Sequence, residues 1–155
     1  MQLSKRLGHS VNILGLATLS NHRFAYEGYS QSRGCATANV VWDQNQKVWG
    51  VLYLNLSDED LEKLDLYEGA TVEDDIGKKR YFRKTVEVTL ANDGIAYDAD
   101  IYIMDHNGVS SDQAGFPSKE YVLEVIKTAL EVGFPDSYIA ESILPLCFNQ
   151  QKVIQ

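Results

Sequence analysis

LEKLDLYEG, residues 61–69, ends a short amphipathic segment on a carboxylate and a glycine, and the rest of the chain is read outward from it. Ser57 followed by Asp60 gives the S-x-x-D form of a capping box. Asp58, Glu59 and Asp60 fill the first turn, where the helix dipole favours negative charge. A helix is therefore expected from about Asp58, with Leu61, Leu64 and Leu66 or Tyr67 as a narrow apolar stripe. Gly69 stands where a residue of positive φ would stop it. Glu68 is thereby fixed at the helix end, against the negative pole of the dipole and beside Leu64 and Tyr67, a setting that suits a general base. The alternative is one more solvated acid in an acidic segment.

The 155 residues are 45% apolar and show no linker or composition shift, so a single domain is expected. A formal charge of −8 with 14 Lys and Arg gives no footprint for nucleic acid or an anionic membrane. A small uncharged or zwitterionic substrate suits that balance better. Cys35 and Cys147 lack CxxC spacing, which points to no disulfide framework and a reducing, cytoplasmic setting. His9, His22 and His106 lie in unrelated contexts without metal-ligand spacing, so no metal is expected and each reads as a surface or loop histidine. No apolar run approaches the ~20 residues of a membrane span, and the first residues lack the apolar core of a secretion signal.

Along the chain, residues 1–7 read as two helical turns stopped by Gly8. The runs 11–19 and 24–29 read as strands joined by a turn at 20–22, with Gly15 at a bulge or close backbone approach. Residues 36–42 and 48–56 read as a hairpin around the polar DQNQ, 43–46, and VWGVLYLNL as a strand buried on both faces, with Gly50 admitting a neighbour. After Gly69, Glu73, Asp74, Asp75, Lys78, Lys79 and Arg80 make a solvated excursion. Strands at 81–90 and 95–104 are joined by ANDG, and Thr85, Glu87 and Thr89 alternate with Val86, Val88 and Leu90. A polar loop spans 105–116. Ser118 then caps a helix whose apolar period is Val122, Val125, Ile126, Ala129 and Leu130, ended by Gly133. A short helix at 137–144 stops before Pro145, and the tail beyond Phe148 reads as frayed. The order is that of an α+β domain with a barrel-like or open antiparallel sheet.

VWGVLY (48–53), LDLYEG (64–69), Tyr81 opening a strand, Tyr102 in DIYIM, PSKEY (117–121) and GFPDSYI (133–139) together resemble the gamma-glutamylcyclotransferase-like family. They occur in that family's order across essentially the whole chain, and LDxxEG is the most specific. The resemblance implies a small mixed β-barrel flanked by helices, with a cavity for a gamma-glutamyl group. It implies a cofactor-free reaction in which the substrate's own α-amine attacks its γ-carbonyl, giving 5-oxoproline and a released amine or amino acid. By the same resemblance Glu68 matches the catalytic glutamate, and Tyr81, Tyr102 and Tyr121 match tyrosines around the pocket, with Tyr121 the best candidate to bind substrate through its hydroxyl. The plain reading of those tyrosines is core aromatics with satisfied hydroxyls.

One departure stands out. Family members begin with a strand and a Tyr-Gly-Ser-Asn loop that grips the glutamyl α-carboxylate and amine, and Met1 falls where the residue after that Asn should be, with Arg6 near the usual arginine. Two expectations follow: a start assigned too late, or a loss of the loop that turns the domain into a non-catalytic binding or interaction module. A missing strand also leaves an open edge, which suggests a homodimer or strand swap.

Overall fold

The computed structural model describes residues 2–30, 32–70, 81–104 and 116–144. Four strands, β1 (Asn12–Ser30), β2 (Cys35–Leu54), β3 (Phe82–Leu90) and β4 (Ala96–Ile103), form one antiparallel sheet in the order β2-β1-β3-β4. Among the described residues four helices accompany it: α1 (Gln2–Leu7), α2 (Asp58–Glu68), α3 (Lys119–Val132) and α4 (Asp136–Tyr138), the last continuing through a π-helical turn, Ile139–Ile143. The α+β class is as expected. Among the described residues the sheet is open, with β2 and β4 at its edges, so "barrel" describes it only loosely.

The two longest strands correct the turns expected at 20–22 and 43–46. Each segment lies inside a continuous strand, and each carries one asparagine of positive φ, Asn21 at 57° and Asn45 at 68°. The Asn45 backbone N–H donates to Asn21 Oδ1 across the pair at 3.3 Å. Asparagine tolerates the left-handed region better than other residues with a Cβ, so each strand kinks there without ending. The real reversal lies between Ser30 and Cys35. There the Gly34 N–H donates to the Ser30 carbonyl at 2.7 Å, and Gly34 takes a φ of 63°.

Two compact units divide the chain, and β1 and β2 run through both. In the first, residues 1–19 and 50–108, β3 and β4 pair from Phe82↔Ile103 to Thr89↔Ala96, and β1 joins β3 at Ala17↔Leu90. Its core includes Leu7, Ala17, Leu64, Val88, Leu90 and Met104. Leu90 approaches so closely that a Cβ on Gly15 would lie 3.3 Å from its Cδ1, so the close neighbour there is a side chain and not the backbone that was expected. The period-2 alternation of β3 buries Val88 and Leu90 and leaves Thr85 and Glu87 outward. Directly across the pair, Glu87 faces Asp98 and Thr85 faces Asp100, both on the edge strand β4. The ANDG turn closes as expected, with the Leu90 N–H donating to the Ile95 carbonyl and the Ile95 N–H to Asp93 Oδ1, both at 2.9 Å.

In the second unit, residues 20–49 and 109–155, Tyr26, Ala36, Ala129, Tyr138, Ile139 and Ile143 form a buried cluster. Val122, Val125 and Ile126 of α3 pack against it with Phe24, Trp49, Tyr121 and Phe134. The α3 start follows its sequence: Ser118 Oγ accepts the Tyr121 N–H at 3.1 Å, and Gly133 ends the helix at a φ of 86°. Ile143 is 2% exposed, and burying such a side chain is worth about 1.5–3 kcal/mol.

Three finer expectations are corrected. Leu130 is 56% exposed, because the α3 stripe that faces the core stops at Ala129. Leu66 and Tyr67 point outward, so Leu64 alone among the leucines of α2 is fully buried. VWGVLYLNL is half-buried over most of its length, and a Cβ on Gly50 would meet nothing within 4 Å. His9 is an exposed loop histidine, as expected, and it is also bonded to the buried Asp60. The excursion at 73–80, the loop residues 105–115 with His106, Cys147 and the tail lie outside the described residues.

Candidate active site

The placement of Glu68 begins at the other end of α2. Ser57 Oγ accepts the Asp60 N–H at 3.1 Å, and Asp60 Oδ2 accepts the Ser57 N–H at 3.2 Å, so the expected capping box is present in both directions. His9 Nε2 donates to Asp60 Oδ1 at 2.7 Å, and its Nδ1 faces the Ser10 carbonyl at 2.8 Å. Both ring nitrogens then have acceptors, which favours the doubly protonated imidazolium. The His9 pKa is accordingly raised, chiefly by the bond to Asp60, and that of Asp60 is lowered, chiefly by the bond to His9. Twelve residues after Ser57, Gly69, at a φ of 73°, stops α2 immediately after Glu68.

The Glu68 side chain is 19% exposed, and its Oε1 accepts from Arg6 Nη1 at 2.5 Å. Arg6 reaches across from α1, its guanidinium 4.2 Å from the centroid of the Tyr67 ring. Glu68 Oε2 has no hydrogen-bond partner among the described residues. One oxygen is thus anchored and the other is open to accept a proton.

One turn earlier on the same helix face, Asp65 Oδ1 accepts from the Tyr102 hydroxyl at 2.6 Å, and Arg83 Nη2 lies 3.2 Å from Asp65 Oδ2. The sheet register explains the convergence. Arg83 and Tyr102 are directly opposite on β3 and β4, so both side chains leave the same face. Thr85 and Asp100, the next pair on that face, are joined by a 2.6 Å hydrogen bond, and Asp100 also meets Arg83 at 3.7 Å. Burial and then the bond to Asp65 push the Tyr102 pKa well up, and the Glu68 charge adds to the rise. Tyr102 therefore stays protonated as a donor within the electrostatic reach of Glu68.

The structure brings Glu68 and Tyr102 into one polar cluster. Tyr81 directly precedes β3 and is half-buried. Tyr121, in the second unit, accepts the Ala38 N–H on its hydroxyl at 2.9 Å. Its ring meets Tyr26 edge to face with centroids 6.2 Å apart, the Arg33 guanidinium lies 5.1 Å from its centroid, and burial raises its pKa. Asp65 and Arg83 escaped the sequence reading. The i, i+3 spacing of Asp65 and Glu68 was the available signal for the first. Among the described residues no group of three or more His, Cys, Asp or Glu side chains is arranged to hold a metal ion, and no helix is long and apolar enough to cross a membrane.

The sequence profile of the AIG2-like family matches residues 47–141. No curated protein matches the sequence. Among solved structures, an uncharacterized protein from Homo sapiens is similar at 20% identity, covering 97% of this chain and 77% of its own, with a TM-score of 0.68. A gamma-glutamyl cyclotransferase is similar at 20% identity, covering 98% and 78%, with a TM-score of 0.66. A protein from Arabidopsis thaliana follows at 19% identity, covering 88% and 73%, with a TM-score of 0.53. At these identities the likeness is one of fold.

Proposed function

The chain belongs to the AIG2-like family, and from that premise we propose that it is a cytoplasmic gamma-glutamylcyclotransferase-type enzyme releasing 5-oxoproline from gamma-glutamyl amino acids or amines. The observation that carries this reading is the Glu68 carboxylate, held through Oε1 by Arg6 at the end of α2 and without a hydrogen bond at Oε2 among the described residues. Oε2 takes a proton from the substrate's α-ammonium. The freed amine attacks the γ-carbonyl and forms the C–N bond of a five-membered lactam. As the original amide C–N bond breaks, the same carboxyl group returns that proton to the leaving nitrogen, and the second proton of the ring nitrogen follows it through the same carboxylate, so that the lactam N–H is neutral and the amine departs as an ammonium. Nucleophile and electrophile belong to one molecule, so holding the substrate folded removes much of the entropic barrier. Arg6 is a positioning residue. Asp65, Arg83 and Tyr102 fix the last turn of α2 that carries the base.

A second reading, a non-catalytic binding or interaction domain of the same fold, draws on the Arg6 contact itself, which already occupies one side of the carboxylate. The two are separated by incubating the protein and its Glu68→Gln variant with gamma-glutamyl dipeptides and gamma-glutamyl-lysine and quantifying 5-oxoproline. The enzymatic reading expects product from the native chain and a loss of about 10²-fold or more in the variant. A folded native chain that makes none, or a variant of equal rate, sinks it.

A further inference from the structure

The kinks of β1 and β2 open onto a cavity of about 560 Å³ within the second unit, lined by Asn21, Asn45, Lys47 and Trp49 on the strand side and by Ser137 and Glu141 of the C-terminal helical segment. That volume falls in the range of small-ligand sites, roughly 300–1,000 Å³. Two separate observations mark it. Asn21 and Asn45 hold positive φ angles of 57° and 68°, a conformation that residues with a Cβ adopt rarely and that gathers at ligand clamps. Asn21 Oδ1 is committed to the Asn45 N–H, and its amide NH₂ has no acceptor among the described residues. The charges are the second observation. Elsewhere in this unit Arg23 is taken by Glu27 and Asp43, and Arg33 by Glu124. Lys47 and Glu141 line the same cavity, yet neither forms an ion pair with the other or with any other described residue. The Lys47 ammonium lies 5.7 Å from the centroid of the Trp49 ring.

We propose that this cavity binds a small zwitterion carrying an ammonium and a carboxylate, of amino-acid or dipeptide class. Lys47 and the Asn21 amide take the carboxylate, Glu141 and the Ser137 hydroxyl take the ammonium, and the Trp49 ring carries the apolar part between them. One cation and one anion, each without an ion pair among the described residues, match a ligand with one charge of each sign. An inorganic anion would leave Glu141 opposed to it. The site is independent of the reaction assigned to Glu68.

The chain has two tryptophans, so a Trp42→Phe background isolates Trp49 as the reporter. Its emission is titrated with L-alanine, L-alanyl-L-alanine and the uncharged N-acetyl-L-alanine amide. A saturable change is expected with at least one zwitterion and none with the blocked amide; which zwitterion saturates tells amino acid from dipeptide. Lys47→Met and Glu141→Gln each move the midpoint about tenfold or more to higher concentration, as loss of a charged hydrogen bond predicts. Lys47→Met also alters the intrinsic Trp49 emission, so the midpoint rather than the amplitude is read, with circular dichroism confirming that both variants fold. Absence of saturation by either zwitterion, an equal response to the blocked amide, or a midpoint that either substitution leaves in place overturns the proposal.

Discussion

Replacing Tyr121 by Phe removes one oxygen and little else. The ring keeps its edge-to-face contact with Tyr26 and its place beneath Arg33, so the lost interaction is the 2.9 Å hydrogen bond from the Ala38 N–H. A neutral bond of this kind contributes about 1 kcal/mol net, rising toward 2 when the orphaned donor stays dry. Ala38 and Tyr121 are both half-buried, which places the cost near the lower figure. For a chain of this length about 1 kcal/mol corresponds to a fall in Tm of roughly 2–4 °C. Thermal and urea unfolding followed by circular dichroism, run beside the 5-oxoproline assay, measures both sides. The expected outcome is the stability loss, with turnover by the folded fraction changed less than about threefold. An unchanged Tm together with a tenfold loss of turnover would refute the reasoning, because the hydroxyl would then serve substrate and not the Ala38 amide.

Two other tests concern the start of α2. Ser57→Ala removes the acceptor for the Asp60 N–H and is expected to cost about 1 kcal/mol in urea unfolding; a change below about 0.3 kcal/mol would mean the capping box contributes nothing. The His9–Asp60 pair gives a pH dependence of definite sign. His9 has its pKa raised above 6.5 on folding, so its contribution is complete below pH 6.5 and is lost as pH rises through the folded value; Asp60, lowered from 3.8, contributes above pH 3.8 and loses its share as pH falls through its own. The urea midpoint of the native chain should therefore fall relative to that of His9→Gln between pH 5 and pH 8, and parallel curves would contradict the pairing.

What the sequence disclosed depended on how far each structure reaches along the chain. The ends of α2 and α3 were legible because Ser57, Gly69, Ser118 and Gly133 act within a turn of where they stand. The ANDG turn was legible for the same reason. Asn21 and Asn45 were misread as turn residues because a single left-handed residue looks alike in a turn and in a kinked strand; the difference is settled by a hydrogen bond between residues 24 positions apart. The position of Glu68 at the end of α2 was legible from Gly69, whereas its tie to Arg6 needs α1 brought against α2, 62 residues apart in sequence. The outward turn of Leu66 and Tyr67 escaped notice because only one side of α2 is covered.

The pairing of Glu87 with Asp98 sets two like charges opposite each other, an arrangement that weakens a sheet. Its consequence lies on the outer side of β4, which no other described strand pairs with. That strand offers its outer backbone groups to any extended segment that approaches, and an unpaired edge of this kind invites chain-to-chain addition. A second molecule docking antiparallel there would bring the paired acids Asp98 and Asp100 toward their counterparts. Hydrogen bonding would draw the two edges together while electrostatics drove them apart. The acids on β4 thus act as gatekeepers, accepting a weaker pairing inside the sheet in exchange for resistance to aggregation outside it.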